Sequence, residues 1–273
     1  MIAQEAFQRY SPRRNTVRQI NIALLLLALP LSGCASRPDY TLNPPASSEW
    51  VNVTVESPPH IEVMPIDVLY RSDKCQREDY DSTTESHIRK ERGYNPQIFS
   101  MIQQGKSNIW KRRIALKGGG KCEWNLSGIR VDIKPDKALP LALGKKIIPT
   151  SYEFAFDDEA YSAGEGSGTR REAFNDLYIK TVLFPMVTLH RDNEIVLKFF
   201  GGNIKKQQWS RFYRVHSVKN ITIEPTLHIQ KVVLLEAPEN RSGPAGMTIT
   251  YPDGTVELKR AVIPDYERLL SLQ

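Results

Sequence analysis

The chain has 273 residues, of which 40% are hydrophobic, 25% are charged and 9% are aromatic. This composition is that of an ordinary globular protein, and it excludes collagen-like, coiled-coil and wholly disordered chains. A net charge of +6 leaves nucleic acids and membranes open as partners, and the odd count of three cysteines requires an explanation.

An apolar run from Ile22 to Leu31 stands near the start of the chain. It follows three arginines, Arg13, Arg14 and Arg18. The run is about ten residues long, whereas a membrane-spanning helix needs roughly 20. Basic residues, an apolar stretch and then small residues form the order of a secretion signal, so we expect residues 1–33 to be a signal peptide. The start codon stays open between Met1 and Val17, because a start at Val17 gives a more compact signal.

The apolar run ends in Leu31-Ser32-Gly33-Cys34, which resembles the lipobox of bacterial lipoproteins. The resemblance implies cleavage before Cys34 and attachment of a diacylglycerol and an N-acyl chain to that cysteine. Two or more acyl chains hold a protein stably to a membrane. The next residue is Ala35 rather than Asp, which in enteric-type sorting favours the outer membrane. The resemblance therefore implies a lipoprotein anchored in the bacterial outer membrane and facing the periplasm.

Removal of the signal changes the charge and the cysteine count. Residues 1–33 hold four of the 37 basic and one of the 31 acidic side chains, so the mature net charge is +3 and supports no nucleic-acid partner. Cys75 and Cys122 remain, and we predict a disulfide between them because the periplasm is oxidising. Two free thiols or a metal pair are the alternatives, but no CxxC motif or Cys/His cluster accompanies them.

Residues 34–49 are rich in proline and serine, which predicts a flexible tether. We expect residues 50–273 to fold as a β-rich periplasmic domain, either as one body or as two lobes, 50–137 and 150–273. Its first predicted strand is Trp50–Val55, where apolar and polar residues alternate.

The next elements are predicted from turn and cap residues. Pro65 indicates a break or an edge within the strand candidate Ile61–Leu69, and the polar stretch Cys75–Arg92 is expected to be irregular. Asn95-Pro96 predicts a helix start, because Asn is a favoured cap and Pro fits the first turn, and Gly105 predicts its end. The apolar stripe of this helix would be Ile98, Phe99, Met101 and Ile102.

Strands dominate the rest of the chain. Two are predicted on either side of Gly118-Gly119-Gly120, and Met247–Leu258 predicts a hairpin around Asp253-Gly254. Between them lie seven further candidates: Ser151–Phe156, Asp176–Phe184, Met186–His190, Glu194–Phe200, Phe212–His216, Asn220–Glu224 and His228–Leu235. Pro264 predicts the start of a short C-terminal helix. The fold class is therefore mainly β, an antiparallel sandwich or barrel-like arrangement of sheets with one or two short helices.

The search for chemistry gives no catalytic set, so we predict that the protein is not an enzyme. The five histidines do not have metal-ligand spacing, and we expect neither a metal nor a cofactor. Asp157-Asp158-Glu159 predicts a solvated acidic turn rather than a calcium site. Lys205–Arg214 predicts a basic turn leading into a strand, with partner binding as the alternative. Glycines Gly164, Gly166 and Gly168 mark a loop, which we take as the candidate partner-binding loop.

These features predict a lipid-anchored binding protein that meets a protein partner in the periplasm. At the level of a lipobox followed by a non-catalytic domain, the chain resembles secretion-system immunity lipoproteins, which neutralise a toxin delivered to the periplasm. A structural or assembly lipoprotein of an envelope or secretion machine has the same sequence features. An envelope hydrolase, whose catalytic residues only the fold would bring together, is the third hypothesis.

Overall fold

The computed structural model describes residues 38–81, 87–160, 170–201, 211–238, 246–260 and 263–272, without the side chains of 79–81 and 87–89. The strands in these ranges are β1 (Trp50–Glu56), β2 (Ile61–Val63), β3 (Ile66–Asp81), β4 (His87–Phe99), β5 (Ile102–Gln103), β6 (Ile109–Ala115), β7 (Lys117–Gly119), β8 (Trp124–Pro135), β9 (Lys146–Ile147), β10 (Thr150–Ala155), β11 (Arg171–Phe174), β12 (Leu177–Leu189), β13 (Ile195–Phe200), β14 (Phe212–His216), β15 (Asn220–Leu227), β16 (Val233–Glu236), β17 (Met247–Thr250) and β18 (Val256–Lys259). Pro140–Ala142 forms a short 3-10 helix, and α1 (Tyr266–Ser271) is an α-helix.

The strands form a ten-stranded and an eight-stranded sheet. The ten-stranded sheet has the order β18-β17-β16-β12-β15-β1-β6-β5, with β13 paired to β12 and β9 paired to β13. The eight-stranded sheet has the order β11-β14-β10-β8-β3-β4, with β2 and β7 paired to β8. The mainly β fold is confirmed. The sheets are mixed rather than purely antiparallel, because long connections bring strands distant in sequence side by side, as where β1 runs parallel to β15.

Side chains from both sheets meet in one hydrophobic cluster. Alternate residues of β1 (Val51, Val53, Val55) and of β8 (Ile129, Val131, Ile133) are fully buried in the same hydrophobic cluster. Alternation places one face of each strand in the core, which is the arrangement of a sandwich. Residues 39–273 form one compact unit, and both sheets draw strands from both halves of the chain.

Residues 95–105 do not form the predicted helix. Asn95 and Pro96 lie in β4, which pairs antiparallel with β3. Ile98 is 72% exposed, so the expected apolar stripe is not buried as one face. Pairing with β3 outweighs the local helix signals. Pro96 is compatible with a strand here because β4 is the edge of the sheet, where a missing N–H need not break a ladder.

The polar stretch Cys75–Arg92, expected to be irregular, contributes in its described part to the long β3–β4 hairpin. Charged cross-strand pairs such as Arg77 with Glu91, at 2.7 Å, take the place of an alternating apolar pattern. The register shifts between Ser72 and Arg77, which places an irregularity in β3.

Residues 39–49, predicted as part of the flexible tether, are bound to the folded domain. The indole Nε1 of Trp124 donates a hydrogen bond to the carbonyl oxygen of Asp39 at 2.9 Å. The ring of Tyr40 stacks on the same indole, with centroids 6.0 Å apart, and Leu42 packs against the core. The few apolar side chains in this proline- and serine-rich segment thus have specific partners, which its overall composition does not reveal.

The glycine run 118–120 explains how this segment lies so close to β7. Gly119 and Gly120 have φ values of +63° and +72°. A Cβ atom at Gly119 would overlap the carbonyl oxygen of Asn43, and one at Gly120 would overlap that of Thr41. Only glycine combines this backbone conformation with such an approach, so the run supports the N-terminal segment as well as separating two strands.

Two predictions near the C-terminus are confirmed. β17 and β18 form the hairpin, with Gly254 at φ +80° in its turn. α1 begins after Asp265, whose carboxylate accepts a hydrogen bond from the backbone N–H of Arg268. In the part of the chain that the structure describes, no helix has the length and apolar content needed to cross a membrane.

Candidate binding groove

The predicted disulfide is present and joins the eight-stranded sheet at the irregular part of β3. The Cα atoms of Cys75 and Cys122 lie 5.3 Å apart. Ser72 supports the bridge, since its Oγ accepts hydrogen bonds from the backbone N–H groups of Lys74 and Cys75 and donates to the carbonyl oxygen of Cys122. The disulfide therefore fixes the middle of β3 to the chain that leads into β8.

Gly93 lets β4 pass against this bridge. A Cβ atom at Gly93 would overlap the carbonyl oxygen of Cys75 and would lie 3.1 Å from the ring of Trp124. Both obstacles are buried or bonded groups that cannot move freely, so the position requires glycine. The disulfide, Gly93 and the Trp124 ring together set the distance between β4 and its neighbours.

The side of β3 that faces away from the core borders a groove. Val68 and Tyr70 lie in the core between the sheets, so Asp67, Leu69 and Arg71 point to the opposite face. The groove on that face has a volume of about 1100 Å³. Its lining includes the cations Arg71, Arg77, Lys90, Arg92 and Arg130 and the carboxylates Asp67, Glu91 and Glu159. We call it the arginine groove.

Arg71 is the most buried of these cations, at 9% exposed. One terminal nitrogen, Nη2, donates a hydrogen bond to the backbone carbonyl of Glu159 at 2.9 Å. Within the part of the chain that the structure describes, its Nε is buried without a hydrogen-bond partner, and its guanidinium lies 5.0 Å from the centroid of the Tyr94 ring. Among the residues that the structure describes, no carboxylate forms an ion pair with Arg71.

Two guanidinium groups contact the ring of Tyr94. The guanidinium of Arg77 lies 5.5 Å from the ring centroid, and that of Arg71 lies 5.0 Å from it. A cation within about 6 Å of an aromatic centroid is attracted by the negative ring face. Arg77 also forms an ion pair with Glu91 at 2.7 Å, so the ring and the carboxylate together hold this arginine in place.

Arg92 contrasts with Arg71 because three carboxylates surround it. Its nitrogens lie 2.8 Å from Asp73, 2.9 Å from Asp157 and 3.8 Å from Glu159. Burial acts to lower the pKa of Arg92, but the hydrogen bond to Asp157 and the nearby negative charges outweigh it and raise the pKa. Ser127 donates a further hydrogen bond to Asp157 at 2.6 Å, so the cluster links β4, β8 and the turn after β10.

In the turn Asp157-Asp158-Glu159, predicted to be solvated, the carboxylate of Asp157 is bonded within the protein. Asp157 is tied to Arg92 and Ser127, whereas Asp158 is almost fully exposed and reaches Arg214 at 3.3 Å. No group of three or more His, Cys, Asp or Glu residues with the geometry of a metal site occurs in the described ranges. The acidic side chains of this turn thus form ion pairs with arginines of the sheet.

The other predicted site residues lie outside the described part of the chain. They are Cys34, the signal segment 1–33 and the loop glycines Gly164, Gly166 and Gly168. Cys75 and Cys122 are the predicted site residues that the structure brings together. The groove residues were missed, because Arg71 lies at the end of an apolar run and Tyr94 lies beside the predicted helix start. A hairpin prediction pairing 66–72 with 93–99 would have placed them side by side.

Comparison of the chain with protein-family models, with curated proteins and with solved structures gives no match in any of the three.

Proposed function

We propose that this protein is a non-catalytic binding protein that holds a protein partner in the arginine groove while a lipidated Cys34 anchors it to the outer membrane on the periplasmic side. The observation that carries the proposal is Arg71, a guanidinium that is nine-tenths buried, lacks a carboxylate partner in the described chain and lines an open groove. Burying a charge without a counter-ion is costly, and such a cost is typical of a site that a ligand completes.

The anchor part of the proposal rests on the lipobox Leu31–Cys34 and on the lengths of chain around it. Asp39 is hydrogen-bonded to the domain, and five backbone steps separate it from the proposed acylated residue, Cys34. Five steps span at most about 17 Å, against about 50 Å for a free tether up to residue 49. The domain is thus proposed to work close to the membrane surface.

Metabolic labelling with palmitate tests the anchor. Wild-type protein should carry the label and the Cys34→Ala variant should lose it. Label that persists in the variant would show that the chain is not acylated at this cysteine.

Site-specific photo-crosslinking tests the groove. A benzoylphenylalanine placed at Tyr94 should capture a partner in envelopes of cells that make the protein. The same probe at Tyr178, an exposed tyrosine on β12 of the other sheet, is the matched control. Capture from Tyr94 and not from Tyr178 supports the proposal, whereas equal capture or none from Tyr94 contradicts it.

The identity of the captured protein then separates the narrower hypotheses. A single toxin encoded beside this chain would support an immunity protein. Components of an envelope or secretion machine would instead support a structural or assembly lipoprotein.

A further inference from the structure

The cations of the arginine groove fall into two groups by their partners. Arg77 pairs with Glu91, Arg92 has three carboxylates, and Arg130 pairs with Glu153 at 2.9 Å. Arg71 and Lys90 form no ion pair with the described part of the chain. Carboxylates of the protein therefore pair with three of the five cations. The other two are Arg71, in the wall of the groove, and Lys90, which is exposed at its side.

Arg71 is the stronger of these two binding positions. It is held from one side by the Tyr94 ring and from another by the Glu159 carbonyl, so its side chain has little freedom left to lose. A carboxylate that reaches it would form a charge-assisted hydrogen bond in a partly desolvated place, where such bonds are stronger than in water. The site is thus already ordered for an acidic group.

Apolar side chains lie beside these charges. Tyr94, Pro96 and Ile98 alternate along β4 onto the groove side, and all three are exposed. A phosphate, a polyphosphate or an anionic glycan offers charge but no apolar side chain to cover this row. A protein segment offers both.

The edge position of β4 decides how such a segment can bind. Pro96 has no N–H to donate, so strand addition along this edge is disfavoured. The segment is therefore expected to lie across the face of the hairpin and to bind through its side chains.

From these observations we propose that the groove recognises an acidic segment of a protein, which places one carboxylate on Arg71, a second near Lys90 and an apolar side chain on the Tyr94–Ile98 row. This inference rests on the proposed binding function and names the chemistry of the partner at that site.

Fluorescence anisotropy with the full chain in detergent tests the proposal. The probe is a fluorescein-labelled peptide that repeats Glu-Leu-Glu-Gly, and the control peptide carries Gln in place of Glu. We expect the acidic peptide to bind, the Gln peptide not to bind, and binding to weaken as salt is raised.

Arg71→Met should weaken binding of the acidic peptide about tenfold or more, since a charge-assisted bond is lost. Arg113→Met is the matched control, because Arg113 lies 4.9 Å from the Trp50 ring on the other sheet and is exposed. Circular dichroism of both variants checks folding, and Arg71→Lys, which keeps the charge, should lose less than Arg71→Met. Equal binding by wild type and Arg71→Met would overturn the proposal.

Two further outcomes separate this inference from the function on which it rests. Dextran sulfate that binds through Arg71 while the acidic peptide does not would reject the protein segment in favour of an anionic polymer. If no peptide binds but the Tyr94 photo-crosslink still captures a partner, the acidic chemistry is wrong and the binding function stands. If both fail, both proposals are wrong.

Discussion

Arg92 and Arg71 lie on neighbouring strands of the same sheet, and the protein neutralises their charges to opposite degrees. Arg92 is surrounded by three carboxylates from β3 and from the turn after β10. Arg71 is more deeply buried, and within the described ranges its guanidinium contacts a backbone carbonyl and an aromatic ring but forms no ion pair. The comparison separates a charge that joins structural elements from a charge that we propose is left for a ligand.

Both side chains line the groove, so the difference lies in the groups that each one reaches. Arg92 bridges β4 to Asp157 beside β8, so its ion pairs close a gap within the protein. Arg71 lines the open groove, where no part of the described chain completes its charge. A neutralised arginine should therefore contribute to stability, and an unneutralised one should contribute to binding at a cost in stability.

The largest expected effect on stability comes from loss of the disulfide, which holds β3 close to both arginines. The double variant Cys75→Ser and Cys122→Ser should lose about 4 kcal/mol of unfolding free energy, because the unfolded chain is no longer cross-linked. Urea denaturation of the variant and of oxidised wild type measures this difference, and reduced wild type is the control. An unchanged urea midpoint would show that the bridge does not stabilise the sheet.

Replacing Arg92 tests the neutralised side of the comparison. Arg92→Met should cost about 2 kcal/mol, because three carboxylates lose their shared cation in a place that is only partly exposed. Denaturation in urea measures it, with Arg113→Met as the control for loss of an exposed arginine. A variant as stable as wild type would mean that the carboxylates around Arg92 are well solvated without it.

Replacing Arg71 with methionine as well tests the arginine that has no ion pair. Arg71→Met should leave the stability unchanged or raise it by about 1 kcal/mol, since a buried cation without a carboxylate is replaced by an apolar side chain of similar length. Thermal unfolding of Arg71→Met and Arg92→Met side by side makes the comparison direct. A loss for Arg71→Met as large as that for Arg92→Met would erase the proposed difference between the two sites.

The smallest effect is expected at Glu91, which pairs with Arg77 at the side of the groove. Glu91→Gln should change the stability by no more than about 0.5 kcal/mol, because ion pairs near the surface are weak and the Tyr94 ring still contacts Arg77. It should also bind the acidic peptide slightly more tightly, because one negative charge has left the groove. Weaker peptide binding would show that Glu91 positions Arg77 for the ligand.

The sequence was sufficient for features with strong local signals. The β-rich class follows from alternation, the β17–β18 hairpin from Asp253-Gly254, and α1 from Pro264. The disulfide is predicted from the even pair of cysteines that remains if Cys34 belongs to a lipobox. Each of these depends on a few adjacent residues or on simple counting.

The arginine groove could not be predicted because it depends on long-range register. Asn95-Pro96 carries real helix-start chemistry, yet pairing of β4 with β3 decides the structure of that stretch. Tyr94 meets Arg71 only through this pairing, and Arg92 meets Asp157 from residues far away in the chain. The contacts of Asp39, Tyr40 and Leu42 were hidden for the same reason, since composition does not report specific partners.

We propose that Arg71 is kept unneutralised in order to hold a protein partner. The most direct test measures the Tyr94 photo-crosslink in envelopes that contain either wild type or Arg71→Met, at equal amounts of folded protein. The partner crosslink should be strong in wild type and lost in Arg71→Met, although the variant melts at the same temperature or higher. A crosslink of equal yield in the two proteins would contradict the assignment of Arg71 as the binding residue.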